Sequence, residues 1–178
     1  MIIGFAGFHS SGKSYLCQYM EKKFGWKWIL KRTLLKEWSG MEGNDLEWTE
    51  WYRGLYRTMG GYEIMHRLLR RIEYASSLEN VILLDSIHTP GEWQAVKEID
   101  SNSILTGVFI PKESRLERSS LDDLVLDSGR EQHWHNKEGG YCVLSQIEWP
   151  FCGIASPELQ ALEAEALFEH LIKIGKIV

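Results

Sequence analysis

The feature that most constrains this chain is a glycine-rich stretch near its start, residues 7–14, which reads Gly-Phe-His-Ser-Ser-Gly-Lys-Ser. It matches the pattern GxxxxGK[ST] at every fixed position. Glycines at both ends let the backbone curl so that consecutive N–H groups point inward, where they can bind phosphate oxygens. The lysine and the serine that follow suit the terminal phosphates of a nucleotide and a Mg²⁺ ion, respectively. Because the stretch works only between a strand and a helix, it predicts both elements around itself.

The sequence on either side meets this requirement. Residues 1–6, MIIGFA, form a short apolar run typical of a buried strand. From residue 13 to residue 24 the apolar positions recur at helical spacing, and Gly25 then ends the pattern. The alternative is a chance glycine-rich turn, and His9 alone would suit a solvent-facing position equally well. The residues that we expect to bind the phosphates are Gly7, His9, Ser10, Ser11, Gly12, Lys13, Ser14 and Tyr15.

The rest of the chain alternates short apolar runs with segments of helical spacing. This alternation is typical of a parallel sheet covered by helices on both faces, a three-layer α/β architecture. No internal repeat or Pro/Ser-rich linker interrupts residues 1–178, so we expect a single domain. The predicted strands are 28–30, 81–84, 104–110 and 151–155, and the predicted helices are 46–59, 62–78, 91–99 and 157–174.

An aspartate directly follows the apolar run of residues 81–84. Ligands of parallel α/β sheets bind at the carboxyl ends of the strands, which is where Asp85 and the glycine-rich loop are expected to meet. A carboxylate in that place holds Mg²⁺ directly or through water, together with the hydroxyl of Ser14. Ser14 and Asp85 are therefore the predicted metal ligands. A turn or helix-capping role is the alternative for Asp85.

Composition and charge argue against several classes of protein. Of the 178 residues, 44% are hydrophobic and 25% are charged, which is typical of a globular chain. No apolar run reaches the roughly 20 residues that span a bilayer, and no basic-then-apolar leader is seen, so we expect neither a membrane protein nor a secreted one. The 20 Lys and Arg against 25 Asp and Glu give a net charge of −5, which argues against a nucleic-acid partner. The three cysteines lack a CxxC motif and fit a protein of the reducing cytoplasm. Nothing in the sequence indicates the oligomeric state.

The charged stretch 112–138 is expected to form a lid over the nucleotide. Phosphoryl transfer needs positive charge around the moving group, and guanidinium groups bind phosphate in a bidentate way. Arg115 and Arg118 are three residues apart, so on a helix they would share one face, and Arg130 is a third candidate. The alternative is a solvated helix whose arginines pair with nearby acidic residues.

Three other groups of residues carry weaker signals. The aromatic residues between 48 and 62 fit the stacking of a base, but fit a helical packing stripe better. Arg67 and Arg71 fit the polar side of an amphipathic helix better than an acceptor site. His133 and His135, taken with two of the cysteines, have no spacing typical of a structural zinc site.

Taken together, these residues resemble the adenylate-kinase-like group of P-loop kinases, close to dephospho-CoA kinase and the nucleoside monophosphate kinases. The resemblance is carried by residues 7–14, by residues 83–92 (LLDSIHTPGE) and by residues 115–131, which are similar to the arginine-bearing lid of that group. It implies a P-loop NTPase fold, with ATP and Mg²⁺ as ligands.

The chain departs from this group at positions that face the phosphate acceptor. Thr33 and Lys36 stand where the group commonly has an Asp and an Arg, and His88 stands where it has an arginine. Residues 154–156, Ile-Ala-Ser, replace its Asn-bearing turn. The acceptor site is therefore expected to be altered or unused.

The sequence thus predicts an enzyme that transfers the γ-phosphoryl group of Mg-ATP to a small acceptor. By the resemblance, this acceptor is a nucleoside monophosphate or a related phosphorylated metabolite. The alternative is a nucleotide-responsive binding module, in which ATP orders residues 112–138 for a protein partner. A kinase of nucleic-acid ends is disfavoured by the net charge. The predicted catalytic residues are Lys13, Arg115, Arg118 and Arg130.

Overall fold

The computed structural model describes residues 1–41, 45–72, 80–118 and 139–178. The strands in these residues are β1 (Ile2–Ala6), β2 (Lys27–Leu30), β3 (Ile82–Asp85), β4 (Ile104–Phe109) and β5 (Trp149–Cys152). The helices are α1 (Lys13–Phe24), α2 (Lys31–Ser39), α3 (Asp45–Arg71), α4 (Pro90–Ile99), α5 (Lys112–Glu117), α6 (Gly140–Leu144) and α7 (Pro157–Lys173). No helix in the described ranges has the length and apolar character that crossing a bilayer requires.

The five strands form one parallel sheet in the order β2-β3-β1-β4-β5. Strand β1 lies at its centre, and Phe5 pairs in register with Asp85 at the end of β3. The glycine-rich loop leaves the carboxyl end of β1, so the topology brings it directly beside Asp85. This is the edge at which α/β sheets bind their ligands.

Alternation along β1 divides the core into two layers. Ile3 and Phe5 face α1 and α7, whereas Ile2 and Ala6 face α3 and α4. Side chains of a strand point to opposite faces in turn, so five consecutive buried residues require a cover on both sides. The predicted three-layer α/β fold is confirmed.

A third cluster of buried side chains joins α2 to α3 beyond the carboxyl edge of the sheet. Its members are mostly aromatic, and Trp48 and Tyr52 stack with ring centroids 5.0 Å apart. The buried residues of the cluster are Leu35, Trp48, Tyr52, Tyr56, Ile64 and Leu68.

The predicted strand at 151–155 is displaced in the structure, where β5 covers Trp149–Cys152. Pro150 resembles a strand breaker in the sequence, but β5 is an edge strand, where a missing N–H group can be tolerated. Trp149 and Pro150 pair with Thr106 and Gly107 of β4, and the chain turns away after residue 152.

Three helices, α2, α5 and α6, were not predicted, and one prediction reaches beyond the described residues. Helix α2 has four charged or polar residues among its first six and only two buried positions, Lys31 and Leu35, so its apolar signal is short. Helix α6 has five residues, fewer than two turns. The helices predicted at 46–59 and 62–78 form α3, which is kinked at Gly60, while residues 73–79 lie outside the described residues.

Candidate active site

The glycine-rich loop has the backbone conformation that its sequence requires. Gly7 has φ 133°, and a Cβ at this position would lie 2.8 Å from the carbonyl oxygen of Val108. Ser10 has φ 55°, in the left-handed region that residues other than glycine rarely adopt. Such strain is concentrated at functional sites, where the surrounding structure holds it in place.

The same loop opens helix α1 without a side-chain cap. Gly12 stands at the N-cap with no side-chain hydrogen bond to the first turn, and that turn contains no acidic residue. The first N–H groups of a helix lack partners within it, and the helix dipole adds positive charge at this end. The start of α1 therefore suits an anion such as phosphate.

Lys13 lies across the loop, and its side chain is buried. Its Nζ donates hydrogen bonds to the carbonyl oxygens of Phe8 at 2.6 Å and Gly7 at 3.2 Å, and to the Ser11 hydroxyl at 3.4 Å. Burial lowers the pKa of Lys13, and the nearby Asp85 carboxylate opposes this effect. A phosphate would replace neutral carbonyl partners with charged oxygens, which stabilise an ammonium more strongly.

The two predicted metal ligands are in contact. The Ser14 hydroxyl donates a hydrogen bond of 2.6 Å to Oδ2 of Asp85, whose side chain is buried at the end of β3. A hydroxyl and a carboxylate oxygen are hard ligands of the kind that Mg²⁺ prefers. The residues present therefore fit a magnesium ion. In the described ranges no group of three His, Cys, Asp or Glu side chains could hold a metal, and His133 and His135 lie outside them.

The loop and Asp85 form one end of a cavity of about 520 Å³. All eight residues predicted to bind phosphate line this end, together with Arg118. The other end, which we call the acceptor end, begins where β2 and β3 finish. Its lining residues are Leu30, Lys31, Arg32, Leu35, Trp48, Thr49, Tyr52, Ser86 and His88.

The two predicted arginines that the structure describes have different surroundings. Arg118 lines the cavity and donates a hydrogen bond of 2.7 Å to the Gly153 carbonyl oxygen. Arg115 is buried, with its guanidinium 5.4 Å from the centre of the Phe8 ring. Helix α5 ends at Glu117, and Arg118 forms its C-cap, where its backbone N–H donates to the carbonyl oxygen of Arg115. Arg130 and most of the predicted lid, residues 119–138, lie outside the described residues.

The acceptor end differs from the expectation based on Thr33 and Lys36. Neither is among the described residues that line the cavity, and the cations found there are Lys31 and Arg32 from the first turn of α2. The guanidinium of Arg32 lies 4.9 Å from the centre of the Trp48 ring. Trp48 and Tyr52 are buried, so these aromatic residues serve both as packing and as cavity wall.

A buried ion pair, which no sequence pattern had predicted, lies beneath the acceptor end. Lys31 Nζ lies 2.6 Å from Oε1 of Glu92, and both side chains are almost fully buried. Burial lowers the pKa of Lys31, while the Glu92 carboxylate opposes this. A signal for Glu92 was present in the sequence Thr89-Pro90-Gly91-Glu92, because T-x-x-E is the pattern of a helix capping box. No signal marked Lys31, which is 61 residues away.

The other arginine cluster lies on the solvent side of α3. Arg67 is exposed and its Nε lies 2.6 Å from Oε1 of Glu63, one helical turn away. Arg71 is also exposed. The polar-face interpretation fits both residues, and neither lines the cavity.

No protein-family model and no curated protein matches the sequence, but solved structures match its fold. A shikimate kinase from Aquifex aeolicus is 18% identical, with a TM-score of 0.59 over 96% of this chain and 97% of that one. A shikimate kinase from Acinetobacter baumannii in complex with shikimate is 12% identical, with a TM-score of 0.61 over 97% and 93%. A gluconokinase from Sinorhizobium meliloti is 15% identical, with a TM-score of 0.54 over 96% and 91%. At these identities the likeness concerns the fold, and the chain shares the parallel α/β fold of these kinases.

Proposed function

We propose that this protein is an ATP-dependent phosphotransferase that moves the γ-phosphoryl group of Mg-ATP to a small acceptor bearing a phosphate. The observation that supports the proposal most is a cavity with the glycine-rich loop at one end and a cationic, aromatic-walled compartment at the other. An enzyme that aligns a donor with an acceptor needs this arrangement. The shared fold with shikimate kinases and a gluconokinase supports the reaction class.

Each element of the cavity has a role in this proposal. The loop amides and Lys13 bind the donor's phosphates, and Arg118 stabilises the charge of the transferring group, with Arg115 and Arg130 as further predicted contributors. Ser14 and Asp85 would hold Mg²⁺, which when bound supplies positive charge to the phosphate oxygens. Little covalent chemistry is asked of the protein, since positioning and charge account for most of this catalysis.

The chemistry of the acceptor end supports an acceptor whose reacting oxygen is already ionised. An alcohol must lose its proton to a general base during transfer, whereas a phosphate oxygen needs none. Among the described residues that line the cavity, Asp85 is the one carboxylate, and it accepts a hydrogen bond from Ser14 at the predicted metal position. A phosphate acceptor, which needs no general base, is compatible with the described lining.

The aromatic wall adds a second argument about the acceptor. Trp48 and Tyr52 form a stacked apolar surface beside Arg32 and Lys31. A ligand with an anionic group and a flat ring would match this surface, because the anion would face the two cations and the ring would lie against the aromatic side chains. We therefore propose a nucleoside or deoxynucleoside monophosphate, or a related phosphorylated metabolite.

The test is ADP production from Mg-ATP with single acceptors: nucleoside and deoxynucleoside monophosphates, shikimate and gluconate. We expect turnover that depends on a monophosphate and is absent with shikimate and gluconate. The Lys13→Ala variant should lose turnover by about two orders of magnitude or more, because it lacks the cation on the donor phosphates. Lys22→Ala, at an exposed position of the same helix, is the matched control and should retain activity.

Two outcomes would contradict the proposal. Normal turnover by a folded Lys13→Ala protein would rule out the phosphate-loop mechanism. Slow ATP hydrolysis that no acceptor accelerates would instead support a nucleotide-responsive binding module.

A further inference from the structure

Glu92 is the centre of a polar network that lies beneath the acceptor end. Its side chain is fully buried and belongs to α4, whereas the Lys31 ammonium that it contacts belongs to α2. A charged pair so well removed from water is costly to bury, and breaking it is costlier still. Because the ion pair lies directly below residues that line the cavity, we looked to the cavity for its role.

The orientation of Glu92 is set by the backbone. Oε1 accepts from Lys31, while Oε2 accepts from the N–H groups of His88 and Thr89 as part of the capping box of α4. Both oxygens therefore face donors, so the group acts as a carboxylate and keeps its Lys31 partner as an ammonium.

The ammonium in turn determines how the His88 ring is protonated. Lys31 Nζ lies 3.2 Å from Nδ1 of His88, and an ammonium can only donate, so Nδ1 must accept. The proton of the neutral ring is then on Nε2, which lies 2.8 Å from the hydroxyl oxygen of Ser86 and donates to it. With this lone pair engaged, the Ser86 hydroxyl keeps its own proton for another partner.

We infer that Glu92 is a positioning residue that, through Lys31 and His88, makes the Ser86 hydroxyl a hydrogen-bond donor to an anionic group of the acceptor. This inference rests on the proposed function, because it assigns a ligand group to the acceptor end of the same cavity. Ser86 and His88 both line that end, and Asp85 precedes them at the metal position. The network favours an anionic ligand because the Lys31 ammonium and the Ser86 hydroxyl, which line the cavity, both act as hydrogen-bond donors.

The loss of Glu92 should reverse this polarity. Without the carboxylate, Lys31 loses its counter-charge and its fixed direction, and His88 is free to carry its proton on Nδ1. Nε2 would then accept from Ser86, whose hydroxyl would present only lone pairs to the cavity. The lone pairs of the Ser86 hydroxyl would then repel an anion, whereas in the wild type its proton is donated to the anion.

The first experiment measures the network directly. Long-range ¹H–¹⁵N NMR of histidine-labelled protein, with the ring of His88 assigned by His88→Gln, should show the proton on Nε2 in the wild type. In Glu92→Gln the ring should shift towards the other tautomer, whereas Glu98→Gln, at an exposed position of the same helix, should leave it unchanged. A wild-type ring protonated on Nδ1 would overturn the inference.

The second experiment measures the ligand without any turnover. Inorganic phosphate is titrated into Lys13→Ala protein, in which the donor loop is weakened, and binding is followed at the His88 ring. We expect saturable shifts, and about tenfold weaker binding when Ser86→Ala is added, because a hydrogen bond to a charged group is lost. No shift at His88, or equal affinity in the two proteins, would overturn the inference even if the enzyme proved to be a kinase.

The third experiment is a double-mutant cycle on the KM of the monophosphate that gives turnover. Ser86→Ala and Glu92→Gln should each raise this KM by about tenfold, leave the KM of ATP unchanged, and together cost little more than either alone. Additive effects would mean that Glu92 acts separately from Ser86. Ser86→Ala leaves the buried pair intact, so it still tests the Ser86 contact if Glu92→Gln folds poorly, and the wild-type tautomer of His88 then tests the network. If no acceptor gives turnover, the proposed function fails, while the phosphate titration still decides the Ser86 contact.

Discussion

Lys13 carries a charge that folding makes costly. Its pKa is lowered from an ordinary value of 10.5, chiefly because burial removes the ammonium from water. Between the lowered pKa and 10.5 the unfolded chain binds more protons than the native one, so the contribution of this residue to stability rises with pH. The cost of the buried charge is present in full at lower pH.

This sign gives a prediction for the pH dependence of stability. The free energy of unfolding of the wild type minus that of Lys13→Met should increase as the pH rises through the alkaline range towards 10.5. Urea unfolding of both proteins at a series of pH values measures the difference, in which the other titrating groups largely cancel. A difference that stays flat or falls would contradict the assigned burial effect.

Gly7 is a second residue whose backbone can be tested. Gly7→Ala combines a φ of 133° with a Cβ placed 2.8 Å from a backbone oxygen, so it should lower the free energy of unfolding by roughly 2–3 kcal/mol. Gly25→Ala, with φ 72° and open space around its Cβ, is the matched control and should cost about 1 kcal/mol. Equal losses in denaturant unfolding would show that the contact with Val108 is unimportant.

At the residue scale, the sequence is most informative where a pattern occupies consecutive positions. The loop and the strand-end Asp85 are local patterns, and the structure brings them within hydrogen-bond distance at Ser14. Lys31 and Glu92 are 61 residues apart, and neither has a local pattern that indicates the other. Burial of their charges depends on the contact between the start of α2 and the start of α4 in three dimensions, which a linear pattern does not contain.

At the scale of elements, the kink in α3 is the feature with the clearest consequence. Gly60 has φ 74° and ψ 159°, a conformation that is essentially restricted to glycine. It separates the half of α3 that carries Trp48 and Tyr52 from the half that packs on the sheet through Met65 and Leu69. The backbone conformation of Gly60 therefore sets the orientation of the aromatic wall, formed by Trp48 and Tyr52, at the acceptor end.

Substitution at this kink should affect the acceptor end specifically. We expect Gly60→Ala to lower the free energy of unfolding by about 1–3 kcal/mol and to raise the KM of the acceptor while that of ATP stays nearly constant. Gly54→Ala, within the helical part of α3 and with free space around its Cβ, should instead stabilise by up to about 1 kcal/mol. Thermal unfolding and steady-state kinetics of both variants measure these effects; an unaltered acceptor KM in Gly60→Ala would contradict the proposed orientation.

Element boundaries followed from sequence where capping residues mark them. Gly25 ends α1 in the left-handed conformation, as its position after the apolar pattern predicted. Strand β5 was misplaced because of Pro150. A proline is tolerated in an edge strand but argues against a central one, and the local sequence does not show which strand lies at the edge.

At the scale of the whole molecule, the alternation of strands and helices was enough to predict a parallel three-layer sheet. The observed strand order places β1 next to β3, which brings the loop after β1 beside the acid after β3. The acceptor was less predictable because its compartment is built by α2, α3 and the turn before α4, whose side chains converge only in three dimensions. Sequence resemblance pointed to Thr33 and Lys36, while the cavity is lined by their neighbours Lys31 and Arg32.

We propose that the loop of residues 7–14 binds a nucleoside triphosphate beside a magnesium ion, which Ser14 and Asp85 would hold. Calorimetric titration of ATP into the purified protein, in a buffer containing magnesium, tests it most directly. We expect saturable binding at one site, weakened at least tenfold by Lys13→Ala, since a charged hydrogen-bond donor to phosphate is lost. The absence of measurable binding by the folded wild-type protein would contradict it.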